Sequence, residues 1–344
     1  MDNDQWLLAC QPPGGWPSAS DFRWQTSAAP EPGPGQFLSE TLFLSLDPYQ
    51  WGRRRRGIEL PGSVCHGRTV SRVLASRHNG FRPGDYVFNT VGWQRYGLTG
   101  AGVSDFGYMI PRRLDPTLAP VSTALGVLGM LGLTAYAGMI VQCAPRAAET
   151  VVVSAASGGV GQVAGQLAKL AGARVVGIAG ANKKVDFCLE ALGFDACVSH
   201  LDPDYPSLLR QACPDGIDVY FENVGGAVFE GVLPLLNQAA RISLCGMIAQ
   251  YGDAEGQSPQ EAWMAAGQAV FEQQRVKILP LFVGDYVAQY QDAFLSEMSD
   301  LLKDNKIHYR EDVWFGLEQA PAAFSAMLKG DNFGKTLIAV SDNK

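Results

Sequence analysis

Three features that would place a protein at a membrane or on a nucleic acid are missing from this 344-residue sequence. No apolar run is long enough to cross a bilayer. The first fifteen residues carry early acids instead of the basic and then apolar layout of a signal peptide. Basic residues are in the minority, with a net charge of -7, which argues against a sequence-independent nucleic-acid binder. We therefore expect a globular cytoplasmic protein with no membrane or nucleic-acid partner.

Patterns of metal ligands are missing as well. The seven cysteines are odd in number and scattered, and they contain no C-x-x-C pair, so neither a disulfide framework nor a four-cysteine zinc site is supported. Cys65 and His66 are adjacent, and neighbouring side chains cannot easily reach one ion together. A catalytic zinc needs three protein ligands and an open position, and the four histidines show no such spacing. We expect no metal.

The sequence does contain a change of pattern near residue 150. Residues 5–115 show short apolar runs between Gly and Pro turns, which predicts a twisted β-barrel or sandwich. Beyond residue 150, short apolar strands alternate with helical segments, which is typical of an α/β protein with a doubly wound parallel sheet. The predicted strands are 151–155, 174–179, 195–199, 217–222 and 240–246. A helix is predicted over 286–304, and β character returns in YREDVWF and KTLIAV.

A glycine-rich turn follows the first of these strands. Ala156-x-Gly158-x-x-Gly161 matches the G-x-G-x-x-G spacing of dinucleotide sites, with Ala in the first place. The small first residue permits a tight turn, Gly158 lets the backbone approach a pyrophosphate, and Gly161 lets the helix pack close to the strand. The helix N-terminus then offers N–H groups to the phosphates. The turn predicts a dinucleotide site, and the alternative is a glycine turn that binds nothing.

The acidic residue that usually ends the second strand of such a unit is absent. Residues 178–184 read Ile-Ala-Gly-Ala-Asn-Lys-Lys. A carboxylate at this place takes the ribose hydroxyls of NAD, whereas an ammonium attracts the additional phosphate of NADP. Small residues followed by Lys183 and Lys184 therefore favour NADP(H). The alternative is a pair of solvated lysines at a helix start, where a cation is slightly unfavourable.

Two further stretches suggest phosphate or anion sites more weakly. GDNFGKT, residues 330–336, has three residues between its glycines where a P-loop has four, and it precedes an apolar strand instead of a helix. We do not interpret it as a nucleotide-binding loop. The one basic run, Arg53 to Arg56, is expected to be a solvated loop, although arginines near a pocket mouth could attract an anionic ligand.

Taken together, these residues make the sequence resemble the medium-chain dehydrogenase/reductase superfamily. Within it, the chain is most similar to the zinc-independent leukotriene/prostaglandin reductase branch, which includes plant alkenal double-bond reductases and bacterial curcumin-reductase-type enzymes. The resemblance covers nearly the whole chain. It rests on LSLDPY, GLTAYAG (132–138), AASGGVGQVAGQLAKLAGARVVGIAG (155–180), YFENVGG (220–226), RISLCGMIAQY (241–251) and AFSAMLKGDNFGKTLI (323–338).

The resemblance implies both an architecture and an activity. It implies a GroES-like β-barrel domain over residues 1–125, completed by about 312–344, and a Rossmann NADP-binding domain over 126–311. It also implies a homodimer that reduces the carbon–carbon double bond of a small enone or alkenal with NADPH. Hydride would go to the β-carbon, and the resulting enolate would then be protonated.

Site residues carry over from the family by motif. Those implied to contact the cofactor are Gly158, Gly159, Val160 and Gly161 at the pyrophosphate, Lys184 at the 2′-phosphate, Thr134 near the nicotinamide, and Asn223, Cys245, Gly246, Met247 and Asn332 elsewhere. Tyr251 is the implied polar group of the active site, and Tyr49 lines the pocket. For both tyrosines, ordinary packing is the alternative. His200 stands where the family often has a phosphate-binding Tyr, which would make cofactor affinity more dependent on pH.

Other functions remain open at this point. A zinc-free quinone reductase would use the same cofactor and would turn over quinones but not alkenals. A non-catalytic NADPH-binding redox sensor would oxidise NADPH with no acceptor. An alcohol dehydrogenase would need bound zinc, which metal analysis would detect.

Overall fold

The computed structural model describes residues 1–252 and 258–341. The chain divides into two compact units: unit 1 comprises residues 1–126 together with those from 311 onward, and unit 2 comprises residues 127–310. Each unit is built on a large sheet of its own. Within the described ranges, no helix combines the length and the apolar character that crossing a bilayer requires.

Unit 1 is built mainly from antiparallel strands. They are β1 (Asp2–Leu8), β2 (Phe22–Ala28), β3 (Gln36–Ser45), β4 (Thr69–Ser76), β5 (Tyr86–Asn89), β6 (Tyr96–Gly100), β7 (Arg112–Leu114), β14 (Glu311–Phe315) and β15 (Lys335–Ala339), with helices α1 (Tyr49–Arg55) and α9 (Ala320–Leu328). β1 and β2 pair with each other, and the remaining strands form one sheet in the order β14-β15-β3-β4-β5-β7, with β6 also paired to β3. β15 runs antiparallel to β3, with Leu337 opposite Ser45, so the end of the chain completes the first unit.

Unit 2 is a six-stranded, all-parallel sheet with helices in its connections. The strands are β8 (Thr150–Ser154), β9 (Arg174–Ala179), β10 (Ala196–Ser199), β11 (Ile217–Glu222), β12 (Leu236–Leu244) and β13 (Lys277–Pro280). The helices are α2 (Met130–Tyr136), α3 (Gly161–Leu170), α4 (Asn182–Glu190), α5 (Tyr205–Ala212), α6 (Gly226–Val232), α7 (Pro259–Gln274) and α8 (Gly284–Lys303). The sheet order is β10-β9-β8-β11-β12-β13. The order reverses between β8 and β11, which is where doubly wound sheets bind their ligands.

The apolar patterns account for these elements. All five residues of β8 are buried, because a parallel strand covered on both faces reads as a continuous apolar run. In α3, the buried Val163, Ala164, Leu167 and Ala168 recur at helical spacing. The chain then leaves α3 through Gly172, whose φ of +86° is the left-handed conformation common just beyond a helix end.

The structure confirms the expected α/β class with a doubly wound parallel sheet. β9 and β11 have the predicted bounds, whereas β12 begins earlier, at Leu236. The edge strand β13 was not predicted, because its four residues are exposed or half-buried and carry no buried apolar run. The helix before β8 changes type along its length: α2 ends at Tyr136, and the chain then forms a π-helix over Ala137–Cys143.

The expectation of a solvated loop at Arg53–Arg56 is wrong. Arg53, Arg54 and Arg55 form the last turn of α1, and the Arg54 side chain is fully buried. Its Nε lies 3.1 Å from Glu59 Oε2, and its guanidinium carbon lies 4.5 Å from the ring centroid of Trp93. A paired carboxylate and an aromatic face replace the water that this cation has lost.

Candidate functional site

The glycine-rich turn connects β8 directly to α3. Ala155 adopts a left-handed φ of +48°, and the N–H of Gly158 donates to Ala155 O at 2.9 Å. A Cβ on Gly161 would lie 2.3 Å from Ala155 O, and a Cβ on Gly158 would lie 3.1 Å from the same oxygen. No side chain can approach an oxygen as closely as the first distance, so α3 packs against the turn only with glycine at position 161.

Helix α3 begins at this turn without a side-chain cap. Val160 stands at the N-cap position, and the first turn holds no acidic residue. Gly158, Gly159 and Val160 are half-buried, whereas Gly161 is buried. Uncapped N–H groups and the positive end of the helix dipole both favour an anion. The turn therefore fits a diphosphate at the surface formed by residues 158–160.

The carboxyl end of β9 places two basic side chains around a glycine. Lys184, in the first turn of α4, is only 8% exposed, whereas its neighbour Lys183 is exposed. A Cβ on Gly180 would lie 3.9 Å from Lys184 Nζ and 3.7 Å from His200 Nε2. The ammonium and the imidazole therefore border the same small space. Burial, and then the Lys184 charge, lower the pKa of His200, so its imidazole is neutral near pH 7.

A buried carboxylate that sequence reasoning missed organises the ends of β8 and β11. Glu222 is fully buried, and burial raises its pKa. It accepts hydrogen bonds from Ser154 Oγ, Tyr220 OH, Trp263 Nε1 and the N–H groups of Val224 and Gly225, at 2.8 to 3.1 Å. The signal for it was the acid in YFENVGG, at the end of a buried strand where an unpaired carboxylate would be costly. Glu222 fixes the loop that leaves β11.

Asn223 holds the neighbouring strand end. Its backbone N–H donates to Ser154 Oγ at 2.8 Å, and its side-chain Nδ2 donates to Ser154 O at 2.7 Å. These two bonds join β11 to β8 at the switch point of the sheet. Asn223 itself is half-buried, so the predicted cofactor contact would use the amide atoms not directed at Ser154.

The segment after β12 brings Tyr251 to the same edge of the sheet. The N–H groups of Cys245 and Gly246 both donate to Glu222 O at 3.0 Å. A short 3-10 helix, Ile248–Gln250, then turns the chain back. A Cβ on Gly246 would lie 3.1 Å from the Tyr251 hydroxyl and 3.7 Å from Asn223 O. The structure thus brings Tyr251, Gly246 and Asn223 together, with Cys245 and the half-buried Met247 beside them.

The remaining cofactor candidates lie in both units. In unit 2, Thr134 is buried on α2 and its hydroxyl donates to Met130 O at 2.6 Å, which leaves its oxygen lone pairs for a ligand. In unit 1, the side-chain Nδ2 of Asn332 donates to Gly334 O at 2.8 Å. Backbone carbonyl groups of nearby residues therefore hold both side chains in place.

Tyr49, also in unit 1, makes a specific polar contact. Its hydroxyl lies 2.7 Å from His66 Nε2. Burial raises the pKa of Tyr49. Burial and the neighbouring Arg53 lower the pKa of His66 to about 3, so both groups are neutral. Among residues 1–252 and 258–341, no three His, Cys, Asp or Glu side chains are grouped so that they could hold a metal ion.

Comparison with known proteins gives consistent results over nearly the whole chain. A family model described as the N-terminal domain of oxidoreductase matches residues 4–104, and one described as zinc-binding dehydrogenase matches residues 159–302. The NADPH-dependent curcumin reductase of Escherichia coli (strain K12) is 41% identical over 98% of this chain and 97% of its own. The 2-alkenal reductase (NADP(+)-dependent) of Nicotiana tabacum is 36% identical over 95% of this chain and 94% of its own. The crystal structure of CurA in complex with NADPH from Vibrio vulnificus is 39% identical, with a TM-score of 0.89 over 98% of this chain and 99% of that one.

Proposed function

Because the chain belongs to the zinc-independent leukotriene/prostaglandin reductase branch of the medium-chain dehydrogenase/reductase superfamily, we propose that it reduces the carbon–carbon double bond of α,β-unsaturated aldehydes and ketones with NADPH. The observation that carries the cofactor assignment is the end of β9. There, Gly180 leaves a space bordered by Lys184 and His200, where an NAD-binding unit would present an acid. A permanent cation at this place favours a ribose that bears a phosphate.

The glycine turn after β8 and the space above Gly180 are suited to two parts of NADP(H), its diphosphate and its 2′-phosphate. Gly158 to Gly161 would hold the diphosphate, and Lys184 with His200 would hold the 2′-phosphate. The contacts assigned to the remainder of the cofactor are Asn223, Cys245, Gly246, Met247, Thr134 and Asn332. When bound, the reduced nicotinamide supplies the hydride that the β-carbon of the substrate accepts.

Tyr251 is the candidate for the polar group at the substrate carbonyl. Negative charge develops on that oxygen during the reduction, and a phenol O–H aimed at it stabilises the transition state. The Tyr251 hydroxyl lies 3.1 Å from where a Cβ on Gly246 would be, just beyond the carboxyl end of β12. This position supports the proposed role. Cys245 does not compete as a nucleophile, because burial raises the pKa of its thiol to about 12. Tyr49 is proposed to line the substrate pocket.

A screen of NADPH oxidation across acceptor classes tests the function. We expect turnover with alkenals and alkenones, and mass spectrometry should show the saturated carbonyl product. Reduction of simple ketones alone would contradict the double-bond assignment. Turnover of quinones alone would indicate a quinone reductase, and NADPH binding without oxidation by any acceptor would indicate a redox sensor.

The role of Tyr251 has its own measurement. Tyr251→Phe removes the hydroxyl and keeps the ring, so we expect kcat for the enone to fall by about 100- to 1000-fold while the dissociation constant for NADPH is unchanged. An unchanged kcat would assign Tyr251 to packing. The expected homodimer is checked by light scattering of the purified protein, and the expected cytoplasmic location by cell fractionation.

A further inference from the structure

Two stretches of chain at the carboxyl edge of the parallel sheet are hydrogen-bonded to each other. The first, the β11 loop, comprises residues 222–225, and the second, the Tyr251 segment, comprises residues 245–251 after β12. Four N–H groups of the Tyr251 segment donate to carbonyl oxygens of the β11 loop, at 3.0 to 3.1 Å. These bonds run from Cys245 and Gly246 to Glu222, from Ile248 to Asn223, and from Ala249 to Val224. The course of the Tyr251 segment therefore depends on the conformation of the β11 loop.

The carboxylate of Glu222 holds the β11 loop in its turn. Its Oε1 accepts from the N–H of Val224 at 2.8 Å and from the N–H of Gly225 at 3.0 Å, so the chain bends around its own side chain. Gly225 has a φ of +74°, in the left-handed region that favours glycine. A Cβ at this position would lie 2.6 Å from Gln250 Oε1. The turn and the Tyr251 segment thus pack without space for a side chain between them.

Glu222 is also anchored to groups outside its loop. Its Oε1 accepts from the hydroxyl groups of Tyr220, on β11, at 2.9 Å and of Ser154, on β8, at 3.1 Å. Its Oε2 accepts from Trp263 Nε1, on α7, at 2.9 Å. Trp263 is itself 1% exposed, and its ring is stacked on that of Phe229 with the centroids 4.5 Å apart. One oxygen therefore binds the loop and the strands, and the other binds the helix.

The set of partners explains why this side chain is a carboxylate. Glu222 is fully buried, and in the part of the chain that the structure describes, the hydrogen-bond partners found for its side chain are neutral donors. A buried charge without a cation is costly. An ionised carboxylate, however, accepts at both oxygens and donates at neither, whereas an amide of the same shape would turn an NH2 group toward a donor. The carboxylate is therefore suited to hold the loop and the helix at once.

We propose that Glu222 is a positioning residue that places the hydroxyl of Tyr251 for the reduction. The N–H of Gly246 is bonded to Glu222 O, and the Tyr251 hydroxyl lies 3.1 Å from where a Cβ on Gly246 would be. The proposal rests on the proposed function, in which this hydroxyl meets the developing charge of the substrate. Glu222 acts through the backbone of the β11 loop and of the Tyr251 segment, so a change in its hydrogen bonds would move the phenol without removing it.

A pair of substitutions tests the hydrogen-bond geometry. Glu222→Gln keeps the shape of the side chain and replaces one oxygen with NH2. With the remaining oxygen on the β11 loop, this NH2 points at the N–H of Trp263, so two donors face each other. Trp263→Phe removes the indole N–H and keeps an aromatic ring against Phe229. Adding Trp263→Phe to Glu222→Gln should therefore relieve the conflict that Glu222→Gln creates.

Hydrogen exchange followed by NMR reports how firmly the Tyr251 segment is attached. In Glu222→Gln, the amides that are bonded to the β11 loop should exchange at least about tenfold faster than in the wild type, which corresponds to the loss of about one hydrogen bond. The double variant should recover most of this protection. Trp263→Phe alone removes one anchor of the carboxylate, and it should raise the same exchange rates by about threefold.

Asp218→Asn is the matched control, because it makes the same chemical change at the other end of the same strand. Asp218 is half-buried and accepts from Thr150 N and Asn237 Nδ2, both at 2.9 Å. Its replacement should lower the melting temperature. It should leave the exchange rates of the Tyr251 segment within about twofold of the wild type, because the two sites share no partner.

Kinetic coupling to Tyr251 separates positioning from general support of the fold. Tyr251→Phe should lower kcat for the enone by about 100- to 1000-fold in the wild type and in Asp218→Asn. In Glu222→Gln the hydroxyl is already displaced, so adding Tyr251→Phe should lower kcat by less than about tenfold. Trp263→Phe in the Glu222→Gln background should restore part of the Tyr251 effect.

The exchange measurement keeps this proposal separate from the proposed function. If no enone is reduced but the exchange rates follow the expected pattern, the function is wrong and the placement of the Tyr251 segment by Glu222 stands. Unchanged exchange in Glu222→Gln, no recovery in the double variant, or a full effect of Tyr251→Phe in the Glu222→Gln background would each overturn the proposal. If Glu222→Gln does not fold, Trp263→Phe decides, and exchange rates equal to those of the wild type would overturn the proposal as well.

Discussion

Lys184→Ala is the variant that most directly tests why this chain would select NADPH. The Lys184 side chain is 8% exposed, and its Nζ borders the space above Gly180. An ammonium in that setting makes a charge-assisted hydrogen bond to a phosphate, a contact worth about 1.5–3 kcal/mol. Since 1.4 kcal/mol corresponds to a factor of ten, the dissociation constant for NADPH should rise by about 10- to 150-fold.

NADH and the neighbouring lysine supply the controls for this variant. NADH has no 2′-phosphate, so its dissociation constant should stay within about twofold in Lys184→Ala. Lys183 precedes Lys184 in the sequence but is exposed, and Lys183→Ala should change NADPH affinity by less than about fivefold. Fluorescence titration of the wild type and of both variants with NADPH and with NADH measures these dissociation constants.

The outcome that refutes this reasoning is specific. Equal weakening of NADPH and NADH by Lys184→Ala would mean that Lys184 supports the fold of this strand end instead of binding the phosphate. An equal loss in Lys183→Ala and Lys184→Ala would mean that only the general field of the two charges matters. Thermal unfolding of each variant distinguishes a local loss of affinity from a loss of stability.

Four further predictions concern other residues of the two units. Gly161→Ala should lower both the melting temperature and NADPH affinity, because its Cβ would lie 2.3 Å from Ala155 O. Glu222→Ala, measured by urea unfolding, should cost more than about 3 kcal/mol, because several buried donors lose their acceptor. Relative to His200→Asn, the wild type should gain NADPH affinity in titrations as the pH is lowered from about 8 to 6, because the bound phosphate favours the protonated imidazole. Although burial opposes its ionisation, Arg68 and Lys335 hold the pKa of Asp47 well below its usual range. The contribution of ionised Asp47 to the free energy of unfolding is therefore complete above the pKa of Asp in the unfolded chain, about 4, and is lost as the pH falls below that value. The variant Asp47→Asn, unfolded at the same pH values, should not show this loss.

The parallel sheet could be predicted from the sequence because its strands are buried on both faces. Runs such as TVVVS are apolar throughout, and the glycine turn after β8 has a spacing with a physical reason for each residue. The resemblance that these motifs carried is confirmed by the relatives and the matched domains. Strand β13 escaped prediction because an edge strand of four residues needs no such apolar run.

The polar networks could not be predicted, because tertiary contacts assemble them. In the sequence, Glu222 is one acid in a loop motif. In the folded chain, its carboxylate oxygens accept hydrogen bonds from side chains of β8 and α7 as well as from its own loop. Arg54 reads as one of four basic residues, and only the folded chain shows that Glu59 and aromatic rings bury it. Sequence adjacency groups Arg54 with Arg56, whereas in the structure Arg54 is buried and Arg56 is exposed.

The lysine of GDNFGKT, the stretch that resembles a P-loop, has a structural role in unit 1. Its lysine, Lys335, does bind oxygen atoms, but they belong to the protein: Nζ donates to Leu46 O at 2.6 Å and to Asp47 Oδ1 at 3.0 Å. Asp47 in turn holds Arg68 at 2.6 Å. A strand from the end of the chain therefore fixes the carboxylate that positions a buried arginine of the first unit. Because Lys335 is 4% exposed and makes both contacts, replacing it would displace Arg68 as well as loosen β15.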